Sequence, residues 1–455
     1  ENSNLAAKIA FVMWSPFHFY VYKNIAEYLP EAEFVVCDTW FKTAPERGVT
    51  HIEKSITLLK KHGVHWRVCL ELADKSVIES FFQKYEILAA TFLWPPLDSL
   101  AFDDWFSKKK SVRVLYGTVK NLATFAPWSA RFDIALSYGS HSHKYLSVLN
   151  ESHLVGVPKF DDWFNKTLDD KGIEKIRRGL NSHKKTILYL PTHSGLSSLH
   201  KFGEAVLELR RFYNVLVKFH HWGSLTESGE EKKFIGKEGV YLFDEASDLL
   251  SLFALADVVL SDSSSAAFEA VLADKPLVVL DMTTEKGRME SHLQGDEFNG
   301  LWYSGGLVPP GGIAEEIKEP KKMIGEVIDN PTKVEAAVKR TIESKNNFQE
   351  GRRYWKKLLY SYNDGRCGER AAAVIREFLT REKPTPSLLG YAIRSYLINL
   401  EKNYSFQMQK IIQEAENKSR FIAQLQKKLK NYTAVKNIFD RVKNEKFLPK
   451  KIILL

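Results

Sequence analysis

The chain has 455 residues, 44% hydrophobic and 27% charged, a balance that supports packed cores and excludes a wholly disordered protein. Single cores stop growing well short of this length, so two domains and an appendage are expected. The net charge is +9, but residues 381–455 hold 16 Lys/Arg against 6 Asp/Glu, leaving 49 against 50 for everything before them; the basic character belongs to a tail and excludes an argument for nucleic-acid binding by the globular part.

Cys37, Cys69 and Cys367 lack metal-type spacing, and the first two fall in apolar, strand-like sequence where a small buried thiol is the default. A reducing compartment is the expectation. The sequence shows neither a run of about 18 apolar residues nor a basic-then-apolar N-terminal layout. The expected location is the cytoplasm, peripheral on the inner face of the cytoplasmic membrane.

In chain order, short apolar runs ending at polar, Gly or Pro positions occur at 8–14, 33–39, 86–94, 111–117, 132–139 and 152–158. They are rich in Val, Ile, Phe and Leu with little strict alternation, as strands covered on both faces read. Amphipathic, helix-length stretches at 22–29 and 75–85 separate some of them. The pattern predicts a doubly wound α/β domain over 1–165, followed by a polar linker at 166–183. It then restarts, with strands at 185–192, 214–220, 239–244, 256–262 and 275–281 and helices at 201–212, 247–255 and 264–273, predicting a second α/β domain over 184–380. Two Rossmann-like domains facing a cleft are the GT-B architecture of many nucleotide-sugar glycosyltransferases. From 381 to 455 the sequence reads as helix: Ile411, Ala415, Lys418, Ile422, Leu425, Leu429 and Tyr432 alternate spacings of four and three. That fits a coiled coil, or a Lys-rich helix on anionic lipid; the tail is therefore expected to self-associate or to touch a membrane.

The most informative stretch is ADVVLSDSSSAAFEA at 256–270, a buried strand, a Ser-rich turn and a helix start. Backbone N–H groups at a helix start lack intrahelical partners, and here they fall at the carboxyl ends of the strands, which favours a diphosphate. Ser263, Ser264 and Ser265 add hydroxyls, whereas capping alone needs only one. Glu269, a turn further, is placed to accept from a ribose, or is simply a solvated helix residue. Thr192 and His193 end the first strand of the second domain, a position that borders the cleft. In VKFHH at 217–221, Lys218 and His220 share strand parity. A protonated His220 would neutralise charge on a departing nucleotide phosphate; the alternative is an ordinary loop histidine. No D-x-D falls in a cleft-facing loop, and Asp161-Asp162 and Asp169-Asp170 sit in linker-like sequence, so no metal is expected.

In this order, YLPTHSG at 189–195, VKFHH, ADVVLSDSSSAAFEAVLADKPLVVLD at 256–281 and SYNDGRCGERAA at 361–372 resemble the CDP-glycerol glycerophosphotransferase family, whose members build teichoic acids and related surface polymers. The resemblance spans roughly 8–380 and implies a GT-B fold, with 1–165 as the acceptor-side domain and 184–380 as the nucleotide-donor-binding domain, and metal-independent transfer of glycerol phosphate. The family's K-x-H-P falls on Lys218 and His220, with His221 in place of the Pro; its S-D-Y-S-S falls on Ser261, Asp262, Ser264 and Ser265, with Ser263 in place of the Tyr. Its D-G-x-x-x-x-R falls on Asp364, Gly365 and Arg370, and Arg366 or Arg370 is expected to meet phosphate charge. The catalytic H-G-T appears as Tyr116-Gly117-Thr118, and a phenol with pKa near 10 does not easily serve as a base. His18, after the first strand, is the leading candidate base on the acceptor, a core histidine being the alternative; Asp38, His141 and His143 follow.

The expected activity is transfer of glycerol phosphate, or a related polyol phosphate, from a CDP-activated donor to a glycan or lipid-linked acceptor, with no cofactor beyond the donor. One alternative is a glycosyltransferase using a CMP-sugar such as CMP-Kdo to extend or cap a capsule or lipopolysaccharide. Another is an inactive scaffold recruited to a membrane by the tail.

Overall fold

The computed structural model describes residues 7–37, 45–69, 80–91, 108–117, 127–192, 197–220, 230–262, 264–282, 319–392 and 395. The chain forms two compact units, Glu1–Leu397 and Ile398–Leu455, and all described residues belong to the first.

That unit contains two parallel sheets. The first is built from β1 (Ile9–Met13), β2 (Ala32–Cys37), β3 (Trp66–Cys69), β4 (Ile87–Ala90), β5 (Lys110–Val114), β6 (Ile134–Ser137) and β7 (Glu151–Leu154), in the order β3-β2-β1-β4-β5-β6-β7. The second holds β8 (Thr186–Leu190), β9 (Asn214–Lys218), β10 (Val240–Phe243), β11 (Val258–Ser261), β12 (Leu277–Leu280) and β13 (Glu326–Ile328), in the order β10-β9-β8-β11-β12-β13. Central strands such as β4, β6, β8 and β11 are buried along their whole length, which is why they read as unbroken apolar runs. The two strands absent from the sequence reading, β3 and β13, are sheet edges with partly exposed side chains; an edge needs no continuous apolar signal. In each sheet the winding reverses once, between β1 and β4 and between β8 and β11, and such reversals open a crevice at the carboxyl ends.

Three stretches depart from the expected organisation. The 166–183 linker contains a helix, Asp170–Gly179, in which only Ile173 is buried, so it reads as polar. The helix Cys367–Thr380, expected in the second domain, buries Ala371, Ala372, Ile375 and Phe378 among side chains of the first sheet. Residues just past 380 stay on that lobe: Arg381 pairs with Glu151, Lys383 Nζ lies 3.1 Å from Asp133, and Ser387 Oγ donates to the Val148 carbonyl at 3.1 Å.

The start of the Cys367–Thr380 helix is held by Asp161, whose carboxylate accepts from Cys367 N at 2.9 Å and Gly368 N at 2.6 Å. A carboxylate at a helix start satisfies orphan donors and complements the dipole. Asp161 is thus a buried cap, not the linker residue it resembles in sequence. At Gly368 a Cβ would lie 2.0 Å from the Asn24 carbonyl oxygen, which belongs to the backbone and cannot swing away. Gly368→Ala is therefore expected to lower stability by about 2–3 kcal/mol through overpacking, read as a reduced urea midpoint at unchanged slope.

Candidate functional site

The reversal between β8 and β11 is organised by Asp262. Its buried carboxylate accepts from Thr192 N at 3.0 and 3.1 Å, from Ser198 N at 2.9 Å and from Ser198 Oγ at 2.8 Å, while the neighbouring Ser261 Oγ donates to the Leu190 carbonyl at 2.8 Å. These bonds tie Thr192 and Ser198 to the end of β11, Thr192 through its backbone. His193 and Ser263 lie outside the described residues.

Two residues on, the Ser265–Leu272 helix begins. Ser264 is its cap, accepting from Ala266 N at 3.3 Å. Ser265 is the first helical residue and lines a pocket between the lobes. From the first lobe, Tyr116 and Gly117, just past β5, close the opposite side; a Cβ on Gly117 would stand 2.8 Å from Ser265 Oγ, so the absent side chain lets the loop approach this closely. Tyr138, Val157 and Tyr360 complete the apolar part of the lining, with Lys159 and Glu269 its charged part. Thr118 lies outside the described residues.

Glu269 does not present an open carboxylate. It pairs with Lys159 at 2.6 Å, both side chains 15% exposed. Lys159 follows β7 in the turn Pro158–Phe160, so the pair spans the lobes. The sequence reading missed Lys159, although the rule that strand ends border the cleft pointed there as much as to Thr192.

Lys218 ends β9. Since β8 separates β9 from β11, Lys218 and the loop after β11 lie two strand spacings apart, about 10 Å, within the span of one nucleotide diphosphate. Its ammonium donates to the Asp244 carbonyl, and burial pulls its pKa down to about 8, with Asp244 and Glu245 opposing. The loop bearing those two acids contacts the first lobe: Lys54 Nζ lies 3.1 Å from Asp244 and 3.0 Å from Glu245, and Tyr20 Oη donates to the Ala246 carbonyl at 2.7 Å. His220, half-buried, stands two residues beyond β9.

Three expected site residues are placed elsewhere. His18, the candidate base, is 1% exposed. Its Nδ1 bonds the Ser15 carbonyl at 3.1 Å, which requires Nδ1–H, so Nε2 must accept the 2.9 Å bond from Thr91 Oγ1. The lone pair a base would use is thereby occupied, and burial lowers the pKa to about 3 despite the Ser15 carbonyl. His18 is a core histidine filling the crevice between β1 and β4, stacked on Phe17 at 3.9 Å. Arg366 and Arg370 are engaged within their own segment. Gly365, at φ +73°, turns the chain so that Asp364 meets Arg370, bonding Nη1 at 2.9 Å and also Nη2, while Arg366 pairs with Glu369 at 2.7 and 3.0 Å. Neither arginine lines the Ser265 pocket. Of the lesser candidates, His143 Nδ1 bonds Ser152 Oγ at 3.1 Å, and Asp38 lies outside the described residues. Among the described residues no three His, Cys, Asp or Glu side chains are grouped to hold a metal ion.

Residues 136–291 match the sequence profile of the CDP-Glycerol:Poly(glycerophosphate) glycerophosphotransferase family. Over 381 residues the chain is 22% identical to the teichoic acid glycerol-phosphate transferase of Staphylococcus aureus, covering 78% of this chain and 88% of that protein. It is 26% identical over 237 residues to the teichoic acid ribitol-phosphate primase of Bacillus spizizenii, half of this chain and 53% of that one. Among solved structures the wall teichoic acid polymerase TagF superposes with a TM-score of 0.56 at 16% identity, over 83% of this chain and 90% of the TagF chain, a likeness of fold. The matched segment, about a third of the chain, holds the end of β6 and β7 to β12 with Lys159, Lys218 and the Ser265 helix; over it the chain is similar to the CDP-glycerol glycerophosphotransferase family, and the two-sheet fold is of the GT-B type.

Proposed function

We propose that the chain transfers glycerol phosphate from CDP-glycerol to a glycan or lipid-linked acceptor in the synthesis of a cell-surface polymer. The observation that carries this is the Ser265 helix start facing Tyr116-Gly117 of the opposite lobe, with Lys218 at a nearby strand end. An acceptor hydroxyl attacks the β-phosphorus and loses its proton to solvent, a new P–O bond forms, and the bond to CMP breaks, CMP leaving with that bond's electron pair. Negative charge grows on the departing α-phosphate. First-turn N–H groups, Lys218 and His220 are the groups we assign to it, without a resident metal. The test is CMP release by the purified full chain offered CDP-glycerol, CMP-Kdo and UDP-sugars with a glycan acceptor; turnover of CDP-glycerol is expected, and turnover of another donor in its place overturns the assignment.

One observation favours a second reading: the group facing Ser265 across the pocket is the Tyr116 phenol where the family has an imidazole. An altered acceptor side over a kept donor side suits a GT-B glycosyltransferase using a CMP-sugar, and the same assay distinguishes it. For the basic tail we favour peripheral contact with a membrane. No helix among the described residues is long and apolar enough to cross one.

Lys218 gives the donor site a pH dependence. Its ammonium carries charge below a pKa of about 8 and loses it above, so affinity for the dianionic donor is expected to fall as pH rises through that value. Titrations with CDP-glycerol from pH 6.5 to 9.5, about 1.5 units either side of that pKa, should show the decline, and Lys218→Met should remove it.

A further inference from the structure

We propose that Lys159 binds the donor's diphosphate, and that Glu269 is its resting partner, giving up the ammonium when the donor seats on the Ser265 helix. This rests on the donor-site reading above.

Lys159 and Glu269 are the two charged side chains among the described residues lining the pocket; Tyr138 and Tyr360 beside them are 3% and 4% exposed. Glu269 lies four residues past Ser265, about 6 Å along the helix axis. An anion at the helix start therefore sits well within a screening length of this carboxylate, in a pocket whose walls exclude much of the solvent. Left bare, Glu269 would repel it. Paired at 2.6 Å with Lys159 it is neutralised, and the charges of the described lining residues cancel. A diphosphate changes the competition, because two negative charges attract the ammonium more strongly than one. Lysine suits the exchange: its flexible four-carbon stem and three donors need no fixed fork geometry. Glu269, once released, still meets neutral hydroxyls as an acceptor. Lys159 and Lys218 would then contact the donor from opposite lobes, so that its binding draws the lobes together.

A structural strut between the lobes would look the same at rest, and the two roles give opposite signs on substitution. CDP-glycerol binding to the full chain is measured by calorimetry for the wild type and for Lys159→Gln, Lys159→Arg, Glu269→Gln and Ser265→Asp, with urea unfolding of each. Lys159→Gln should weaken binding about 10-fold or more, the scale of one hydrogen bond to a charged group, and Lys159→Arg should restore most of it. Glu269→Gln removes the competitor for the ammonium and keeps a carbonyl for hydroxyls, so it should bind as tightly as wild type or tighter. Equal weakening by Lys159→Gln and Glu269→Gln, tracking their loss of stability, makes the pair a strut and overturns the proposal. Binding unchanged in Lys159→Gln but lost in Ser265→Asp overturns the role of Lys159 and leaves the donor seat standing. Binding unchanged in both, or absent from the wild type at millimolar donor, overturns the donor-site reading as well.

Discussion

Asp262→Ala is expected to lower stability by roughly 3–5 kcal/mol, the scale of breaking a buried, multiply hydrogen-bonded charge. Three donors, Thr192 N, Ser198 N and Ser198 Oγ, converge on this carboxylate, and the side chain is 2% exposed. Removing it leaves those buried donors without their acceptor. The loss should appear as a lower urea midpoint. Asp262→Asn keeps one oxygen but turns an NH2 group toward donors, so it should recover only part of the deficit. Since Asp262 fixes the loop after β8, donor affinity should fall in both variants even where folding is complete. Unchanged stability in Asp262→Ala would contradict the hydrogen-bond assignment.

His220→Ala should lower kcat by about 100-fold to 1,000-fold, the usual effect of removing one group that meets charge developed in the transition state. The imidazole is half-buried two residues past β9, and its assigned work is on the departing α-phosphate rather than on the bound donor. KM should consequently change far less than kcat. Folding should be nearly unaffected, because the ring is not part of the core. A rise in KM at unchanged kcat would instead make His220 a group that binds donor and transition state equally.

The strand and helix that frame the Ser265 pocket were legible in sequence because their signals are local. A buried strand, a Ser-rich turn and a helix start appear consecutively at 256–270, and periodicity alone places them. Contacts made by residues distant in the chain leave no such trace. Glu269 reads in sequence as a ribose acceptor or a solvated helix residue because its partner, Lys159, lies 110 positions away. Arg370 looked like a phosphate ligand until the turn at Gly365 folded Asp364 onto it. His18 follows a strand and should by that rule face a cleft, but Trp14 and Phe17 pack around the imidazole and Thr91, 73 positions on, takes its lone pair. Asp161 reads as a linker residue because its partners, the N–H groups at 367 and 368, lie some 200 positions along the chain. The interior strands were legible for the same reason that β3 and β13 were not: burial on both faces forces an apolar run, and a sheet edge does not.

The most direct test of this account is the structure of the chain with CDP-glycerol bound. The diphosphate should lie within hydrogen-bonding distance of the first-turn N–H groups of the Ser265–Leu272 helix, with its α-phosphate on the side of Lys218. A diphosphate held by Arg366 and Arg370, away from the Ser265 helix, would contradict it.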